Sequence, residues 1–297
     1  MDPTVANLYD DGYTALEVWI EAGRGQTDLL RGDNMADWFN LLNHGHWKAG
    51  TADSDTHSLI SVQSGGPRTF VASSTDDPGS ISASELATNV NAMRAVGSNA
   101  PFLKVELENG SAQKAGLALG NPSTVTYTGG GADKVKVHVE SPTWAQFDTI
   151  DVYMNASPSC HSEWTFIGVI NPSKCDTVTP AYTLHKGSDF NVSTETGVSG
   201  SGQRLVADVE LPVTISQDTW VVVVARGTDG VSKPLFPMEP QDLQESGNTT
   251  LDDLTDNGGA LPWNLNEKGA MALAYSNPLF FDNGDGLCHG GSPCPGL

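Results

Sequence analysis

The stretch Trp220-Val221-Val222-Val223-Val224-Ala225 is a run of six apolar residues, four of them β-branched. A short, continuously apolar run of this kind is typical of a strand that is buried on both of its faces. We therefore begin from a buried strand at Trp220–Ala225 and ask what surrounds it.

Several other segments predict strands with one buried face. Val135–Glu140 alternates valine with charged or polar residues, which is the two-residue period of a half-buried strand. Further strands are predicted at Phe102–Leu107, Thr149–Met154 and Leu205–Leu211. Turn-forming residues separate these segments, and no helical period lies between them. The pattern predicts an antiparallel β-sandwich over residues 101–297, with residues 240–262 as a long acidic loop.

The first hundred residues have a different pattern, in which strands and helices alternate. An apolar strand at Thr14–Ile20 precedes a helix that Asp33 or Asn34 can cap, and Gly45 is the expected stop of that helix. The apolar residues of this helix fall on one face at helical spacing: Met35, Trp38, Leu41 and Leu42. The later segments are a strand at Thr51–Ser58, a strand at Pro67–Ala72, and a helix opened by the capping box Ser82-x-x-Glu85 and ended by Gly97. Strand–helix–strand–helix order predicts parallel pairing and an α/β layer.

Composition excludes some classes of partner. The 297 residues carry a formal charge of -21, with a pI near 4.4, so polyanions such as nucleic acids or acidic membranes would be repelled. No apolar run approaches the roughly 20 residues that span a bilayer. Met1–Thr4 does not begin a basic region followed by an apolar one, so no signal peptide is visible.

The four cysteines form two local pairs in the sequence. Cys160 and Cys175 flank a predicted hairpin, and Cys288 and Cys294 lie in a segment rich in glycine and proline. Two small disulfides are the favoured interpretation, and they indicate an oxidising compartment, secreted or periplasmic. The alternative is a four-cysteine zinc site, whose usual Cys-x2-4-Cys spacings do not occur here.

The segment Gly50–Ser58 carries the clearest chemical signal. It places Asp53, Asp55 and His57 at alternate positions, which share one face of an extended strand. Carboxylate and imidazole groups are common ligands of catalytic Zn, Mn or Fe. His44 and His46 lie a few residues upstream and are weaker candidates, because an exposed histidine is common.

The order of these segments resembles the C-terminal part of PHP (polymerase and histidinol phosphatase) metallohydrolases of the kind that carries a β-sandwich. The matching residues are Ala15–Trp19, Asp37–Gly45, Ser54–His57, Gly66–Val71, Ser98–Phe102 and Ser276–Phe280. Together they extend over nearly the whole chain. On this resemblance, residues 1–100 form the C-terminal portion of a PHP-like domain, and residues 101–297 form an Ig-like β-sandwich.

The resemblance implies a fold and a chemistry. The fold class is then an α/β segment, the incomplete end of a distorted (β/α)7 barrel, followed by the antiparallel β-sandwich. The family holds Zn, Mn or Fe ions at the C-terminal ends of its strands and hydrolyses phosphoesters with a metal-activated water. Its last ligand motif, Asp-x-His, falls on Asp55 and His57, and Asp53 receives no ligand role.

The family's earlier metal ligands, including a His-x-His, would lie upstream of the first strand of this chain. We therefore expect a fragment or a truncated reading frame that lacks the N-terminal part of the barrel. A catalytic metal usually needs about three protein ligands and an open position, and Asp55 and His57 supply two of them. Little or no activity is expected from this chain alone.

Two further residues have expected roles at the same site. Glu17 lies near the C-terminal end of its strand, where barrel enzymes carry their chemistry, so a role in catalysis or substrate binding is expected. Arg68 follows Gly65-Gly66-Pro67, and its guanidinium can hold a phosphate oxygen. The alternative for Arg68 is an ion pair with one of the many surface carboxylates.

A separate acidic turn, Asp282-Asn283-Gly284-Asp285-Gly286, resembles half of a calcium loop but lacks the distal Glu. An ordinary Asn/Asp-Gly turn explains it equally well. Two functions therefore remain open for the chain. The first is a fragment of a secreted metal-dependent hydrolase that acts on a small phosphoester. The second is an extracellular β-sandwich module for binding or support, with a vestigial hydrolase segment.

Overall fold

The structure is a computed structural model that describes residues 11–20, 33–54, 66–110, 113–129, 131–164, 170–197, 202–228, 231–233, 235 and 271–295. Of these described residues, 46% lie in strands and 9% in helices. The helices are α1 (Asp33–Asn43) and α2 (Ala83–Asn91).

Seventeen strands lie within the described ranges. They are β1 (Ala15–Ile20), β2 (Ala49–Asp53), β3 (Arg68–Val71), β4 (Ala95–Ser98), β5 (Phe102–Asn109), β6 (Lys114–Gly116), β7 (Thr124–Thr126), β8 (Asp133–Pro142), β9 (Thr149–Met154), β10 (Ser159–Trp164), β11 (Ile170–Thr177), β12 (Tyr182–His185), β13 (Ser193–Thr196), β14 (Gln203–Val213), β15 (Thr219–Arg226), β16 (Leu273–Ser276) and β17 (Leu279–Asp282).

Two large sheets face each other. One has five strands in the order β13-β14-β8-β5-β6, all paired antiparallel. The other has eight strands, with the path β12-β9-β15-β16-β4-β3, and β17 joins β15 and β7 to it. Valines and leucines from both sheets alternate inward along each strand and fill the space between them. The apolar residues of β8, Val135, Val137 and Val139, are among them.

Strand β15 lies in the middle of the eight-stranded sheet and is buried on both faces. Val221 and Val223 point into the core between the sheets, whereas Trp220, Val222 and Val224 point to the opposite side of the eight-stranded sheet. The prediction made from its apolar run is confirmed, because residues Thr219–Ala225 are all buried. The face of the eight-stranded sheet that points away from the five-stranded sheet is also apolar. Residues among the first hundred pack against this face.

That cover is a small outer layer made of α1 and the parallel pair β1–β2. The apolar face of α1 carries Met35, Trp38 and Leu42, as its spacing predicts, and packs over Trp220 and Tyr275. The helix ends where Gly45 adopts a positive φ of 73°, a conformation that favours glycine.

The predicted fold class is wrong. Only β1 and β2 pair in parallel within the outer layer, and β3 and β4 instead pair antiparallel and join the eight-stranded sheet. The physical reason is the burial of β4, whose four residues lie between β3 and β16 and take ladder partners from both. The described residues are therefore mostly antiparallel β structure, not an α/β barrel segment.

Helix α2 shows why the alternating order of strands and helices led to a wrong prediction of parallel pairing. Ser82 caps it as predicted, with its hydroxyl accepting a hydrogen bond from the Glu85 amide at 3.4 Å. The helix ends at Asn91, however, and Met93 makes the turn with a φ of 60°. Gly97 was predicted to end this helix but lies within β4. The short, largely exposed helix thus connects two antiparallel strands and covers no parallel sheet.

Both predicted cysteine pairs are confirmed as disulfides, Cys160–Cys175 and Cys288–Cys294. No free cysteine remains, so a four-cysteine zinc site is excluded. Bonds of this kind persist in oxidising compartments, which indicates an extracellular location. Within the described residues, no helix has the length and apolar character to cross a membrane.

Candidate functional site

An open cleft of about 360 Å³ lies along the C-terminal half of β2, beside Glu17 in the middle of β1 and the start of β3. Its walls carry two carboxylates, one guanidinium and several hydroxyls. The lining residues are Glu17, Thr51, Ala52, Asp53, Ser54, Pro67, Arg68 and Thr69. The cleft therefore combines groups that bind cations with a group that binds anions.

The parallel pair is held to the large sheet at two points. Thr69 on β3 ties down the outer edge of β2, because its hydroxyl donates to the Ala52 carbonyl and accepts from the Ala52 amide, both at 2.8 Å. Asn277, which is fully buried, binds the other part of β2 through the Gly50 amide and carbonyl, at 2.7 and 3.0 Å. These contacts fix the wall of the cleft relative to β3 and β4.

Glu17, Asp53 and Arg68 are the charged residues of the cleft, and all three are exposed. Glu17 pairs in register with Thr51, next to an irregularity in β1 between Glu17 and Trp19. The Arg68 guanidinium lies 5.2 Å from the centre of the Phe70 ring, which restricts its range of positions. The structure thus brings Glu17 and Arg68, both predicted from the sequence, to one cleft.

Asp55 and His57, the predicted metal ligands, lie outside the described residues. Strand β2 ends at Asp53, the last strand residue before them. Asp53 lies on the cleft wall. No group of three His, Cys, Asp or Glu side chains able to hold a metal ion occurs within the described ranges. The predicted metal site stays a prediction.

The two upstream histidines make local contacts. The ring of His44 lies 2.7 Å from the Asn40 carbonyl one helical turn before it. His46 forms an ion pair with Asp11 at 3.3 Å, next to the buried Lys48, which also contacts Asp11. These contacts account for both rings at the end of α1.

In the acidic turn at Asp282–Asp285, the carboxylates accept hydrogen bonds from nearby backbone amides. Asp282 accepts from the Gly284 amide at 2.9 Å, and Asp285 accepts from the Leu287 amide at 2.8 Å. Burial and the carboxylates of Asp282 and Asp285 raise the pKa of neighbouring Asp218, although its hydrogen bond from Asn283 acts in the opposite direction. No group of three metal-binding side chains occurs at this turn among the described residues, and the calcium alternative stays untested.

Sequence reasoning missed Tyr275 of β16, whose ladder partner Gly97 pairs in turn with Thr69 of the cleft wall. The residue is 1% exposed, and its hydroxyl is a buried polar atom with no hydrogen-bond partner among the described residues. Burial raises the pKa of this phenol well above its usual value, and the negative charge of Glu17 adds to the effect. The only local signal was a tyrosine in an apolar segment, which is typical of any core position.

A second concave surface lies on the outer face of the five-stranded sheet. It is a trough of about 490 Å³ lined mainly by charged residues of β5, β8 and β14. Cross-strand ion pairs occupy these side chains, for example Lys136 with Glu108 and Glu210, both at 2.9 Å. Because the charges pair with one another, the surface has the character of a solvated sheet face.

His138 on this face gives a testable pH dependence. Burial lowers its pKa, but hydrogen bonds to Glu140 and Asp208, at 2.9 and 2.8 Å, more than offset this, so the net pKa is raised. Protonated His138 therefore stabilises the fold below about pH 6.5, and this stabilisation is lost as the pH rises through the folded-state pKa. Because Asp208 is exposed, we expect an effect of about 0.5 kcal/mol.

The measurement compares thermal stability from pH 5 to pH 9 for the unmodified protein and for His138→Gln, together with an NMR titration of the ring. His185→Gln, on the exposed strand β12, is the control. A ring that titrates at or below pH 6.5 would show that the two carboxylates do not hold the proton.

Comparison with protein-family models, curated proteins and solved structures finds no match to this chain.

Proposed function

We propose that the cleft between β1, β2 and β3 is part of the site of a divalent-metal-dependent phosphoester hydrolase. Asp55 and His57 act as metal ligands, Arg68 holds a phosphate oxygen, and Glu17 acts at the same site. The proposal keeps the chemistry that the PHP resemblance of the sequence implies, and it does not keep the fold. Secretion, or export to a periplasm, is also part of it.

The observation that carries the proposal is the position of the cleft. It lies along the C-terminal half of β2, beside Glu17 in the middle of β1, and the chain continues from Asp53 through Ser54 to Asp55-Thr56-His57. The carboxyl ends of parallel strands are a common place for ligand sites. The wall already carries the carboxylates of Glu17 and Asp53 and the guanidinium of Arg68.

The chemistry of the lining residues fits a metal and a phosphate together. Carboxylate oxygens suit Mn and Zn, and a guanidinium can bind a phosphate through two parallel hydrogen bonds. A bound divalent ion supplies an activated water and neutralises charge on the phosphoryl group. Arg68 orients the substrate oxygen, and its stacking on Phe70 limits the loss of side-chain freedom on binding.

The experiment measures metal binding and hydrolysis separately. Titration calorimetry with MnCl2 or ZnCl2 is expected to detect binding that Asp55→Ala and His57→Ala each weaken by about tenfold or more, as expected for loss of a ligand. Arg68→Ala is expected to weaken binding of inorganic phosphate to the metal-loaded protein while leaving metal binding unchanged. Asp77→Ala, in an exposed turn, and His185→Ala are the matched controls.

Hydrolysis of a generic phosphoester by the 297-residue chain is expected to be very slow, because Asp55 and His57 fall short of the usual three ligands. Metal binding that is unchanged in both Asp55→Ala and His57→Ala would contradict the proposal. Rapid turnover that depends on Asp55 would contradict only the expectation of low activity.

The alternative, a binding module that uses the β-sandwich, rests on the charged trough of the five-stranded sheet. Deleting residues 1–100 would not test it cleanly, since β3 and β4 belong to the eight-stranded sheet. Point variants in the full chain are preferable. Binding of a partner that Lys136→Glu abolishes and Arg68→Ala leaves intact would favour this alternative.

A further inference from the structure

Two open strand edges lie close together on one side of the β-sandwich. β12 is the outermost strand of the eight-stranded sheet and β13 that of the five-stranded sheet, and within the described ranges each pairs with one strand only. Residues 186–192 connect them. The connection begins as a compact turn, in which the Asp189 amide donates to the His185 carbonyl and the Gly187 amide to the Phe190 carbonyl. Open edges invite pairing with strands of other chains, and natural proteins usually protect them.

The second half of the connection is anchored in the core and presents two polar side chains to solvent. Phe190 is buried and stacks on Phe147, with ring centres 6.4 Å apart. Val192 packs against the same core cluster. Asn191 and Ser193, at the alternate positions, are exposed. Because neighbouring residues of an extended chain point to opposite sides, the core contacts of Phe190 and Val192 direct Asn191 and Ser193 outward.

These residues form the motif Asn191-Val192-Ser193, an Asn-x-Ser sequence of the kind that accepts N-linked glycans on the surface of exported proteins. The acceptor needs an accessible amide nitrogen and an accessible hydroxyl two residues later. The hydroxyl of Ser193 is only loosely held, at 3.4 Å from the Val206 carbonyl and 3.5 Å from the Glu195 carboxylate. The two disulfides indicate an oxidising, extracellular environment, as this modification requires.

A second copy of the motif, Asn155-Ala156-Ser157, is used by the fold itself. The side-chain nitrogen of Asn155 donates to the Asp218 carbonyl at 2.9 Å, and its oxygen accepts from the Trp220 amide at 3.0 Å. Ala156, the middle residue, is buried. A sugar on the Asn155 nitrogen would occupy the space where β15 begins, so the folded protein has no room for it there. The structure therefore distinguishes two motifs that the sequence alone does not.

We propose that Asn191 carries an N-linked glycan and that this glycan covers the open edges of β12 and β13. In the transfer, the amide nitrogen of Asn191 bonds to the anomeric carbon of a lipid-pyrophosphate-linked oligosaccharide. The bond from that carbon to the pyrophosphate oxygen breaks, the oxygen keeps the electron pair, and the nitrogen gives up one proton. A bulky, hydrated sugar between the two edges hinders the approach of another strand. This inference is independent of the proposed function.

The test secretes the full chain, behind a cleavable signal, from a eukaryotic host that glycosylates exported proteins. The chain carries Asn248→Gln, because a third motif, Asn248-Thr249-Thr250, lies outside the described residues. Peptide mass spectrometry after glycosidase treatment in heavy-oxygen water is expected to find labelled aspartate in place of Asn191 and unchanged Asn155. Ser193→Ala is expected to abolish the glycan and Ser193→Thr to keep it. An unmodified Asn191 in the folded, secreted protein, or a glycan on Asn155 in its place, overturns the inference.

The covering role is measured by light scattering of concentrated protein. Ser193→Ala, which lacks the glycan, is expected to associate several-fold faster than the glycosylated protein. Adding Thr194→Lys to that variant places a charge on the exposed strand β13 and is expected to restore slow association. The same chain exported to a bacterial periplasm without the transferase is the glycan-free reference, in which Asn191 is an ordinary exposed side chain. Equal rates with and without the glycan overturn the covering role.

Discussion

Asn277→Ala is expected to lower the free energy of unfolding by about 3 kcal/mol or more and to loosen the β1–β2 pair from the large sheet. The amide of Asn277 is fully buried and makes three hydrogen bonds, two with Gly50 and one with the Ala95 carbonyl at 2.9 Å. Truncation leaves the Gly50 amide and carbonyl without their side-chain partner in the interior, whereas the Ala95 carbonyl keeps its hydrogen bond from the Asn277 backbone amide at 3.4 Å. Each such group costs about 1–3 kcal/mol.

Chemical denaturation measures the loss of stability, and hydrogen exchange at Gly50 and Ala52 measures the loosening of β2. Asn277→Asp is expected to be at least as harmful, because a carboxylate would face the carbonyls of Gly50 and Ala95 and cannot donate to them when ionised. Asn191→Ala, at an exposed position, is the control. A stability of Asn277→Ala within about 0.5 kcal/mol of the unmodified protein, the usual range for surface changes, would show that Asn277 does not hold β2.

Gly97→Ala is expected to have an effect of similar size for a different reason. The added methyl would lie 2.2 Å from the Tyr275 ring, and that ring is fixed between Trp38 and the sheet. Either β4 or the ring must move, and overpacking of a tight core costs about 1–3 kcal/mol, occasionally more.

The control for this change is Gly79→Ala, whose new methyl would meet its nearest neighbour, Asp77, at an ordinary 3.6 Å. The cause is tested by combining Gly97→Ala with Tyr275→Ala, which removes the obstructing ring. Denaturation of the four proteins is expected to show that the glycine change costs much less once the ring is gone. Equal costs in both backgrounds would place the strain elsewhere.

Elements whose structure depends on local pattern were predictable from the sequence. Three examples are the apolar run of β15, the alternating valines of β8 and the apolar face of α1. In each, the spacing of apolar residues indicates which side chains are buried, because strands and helices turn their side chains to one face at fixed periods. The cysteine pairs were predictable for a related reason. Short separations of 15 and 6 residues make each partner the nearest available thiol.

The direction of β3 and β4 was not predictable in this way. The sequence of a short strand does not determine whether its neighbour runs parallel or antiparallel. The direction of β4 depends on its pairing with β16, which lies more than 170 residues further along the chain. Glu17 and Arg68 were predicted from positions near strand ends, but Glu17 is the third of the six residues of β1 and does not lie at its C-terminal end. Tyr275 and Asn277 were not predicted, since their roles depend on Gly97 and Gly50 across that same distance.

The long-range tie between Asn277 and Gly50 also has a consequence for the order of folding. The two residues are 227 positions apart, and β4 likewise takes one of its two ladder partners from β16. During synthesis, β1, β2 and α1 leave the ribosome long before the segment that anchors them, so they cannot dock at once. Contacts this distant in sequence slow folding. The apolar face of α1 therefore stays exposed for an interval in which a holding chaperone, or an unfolded route of export, would protect it.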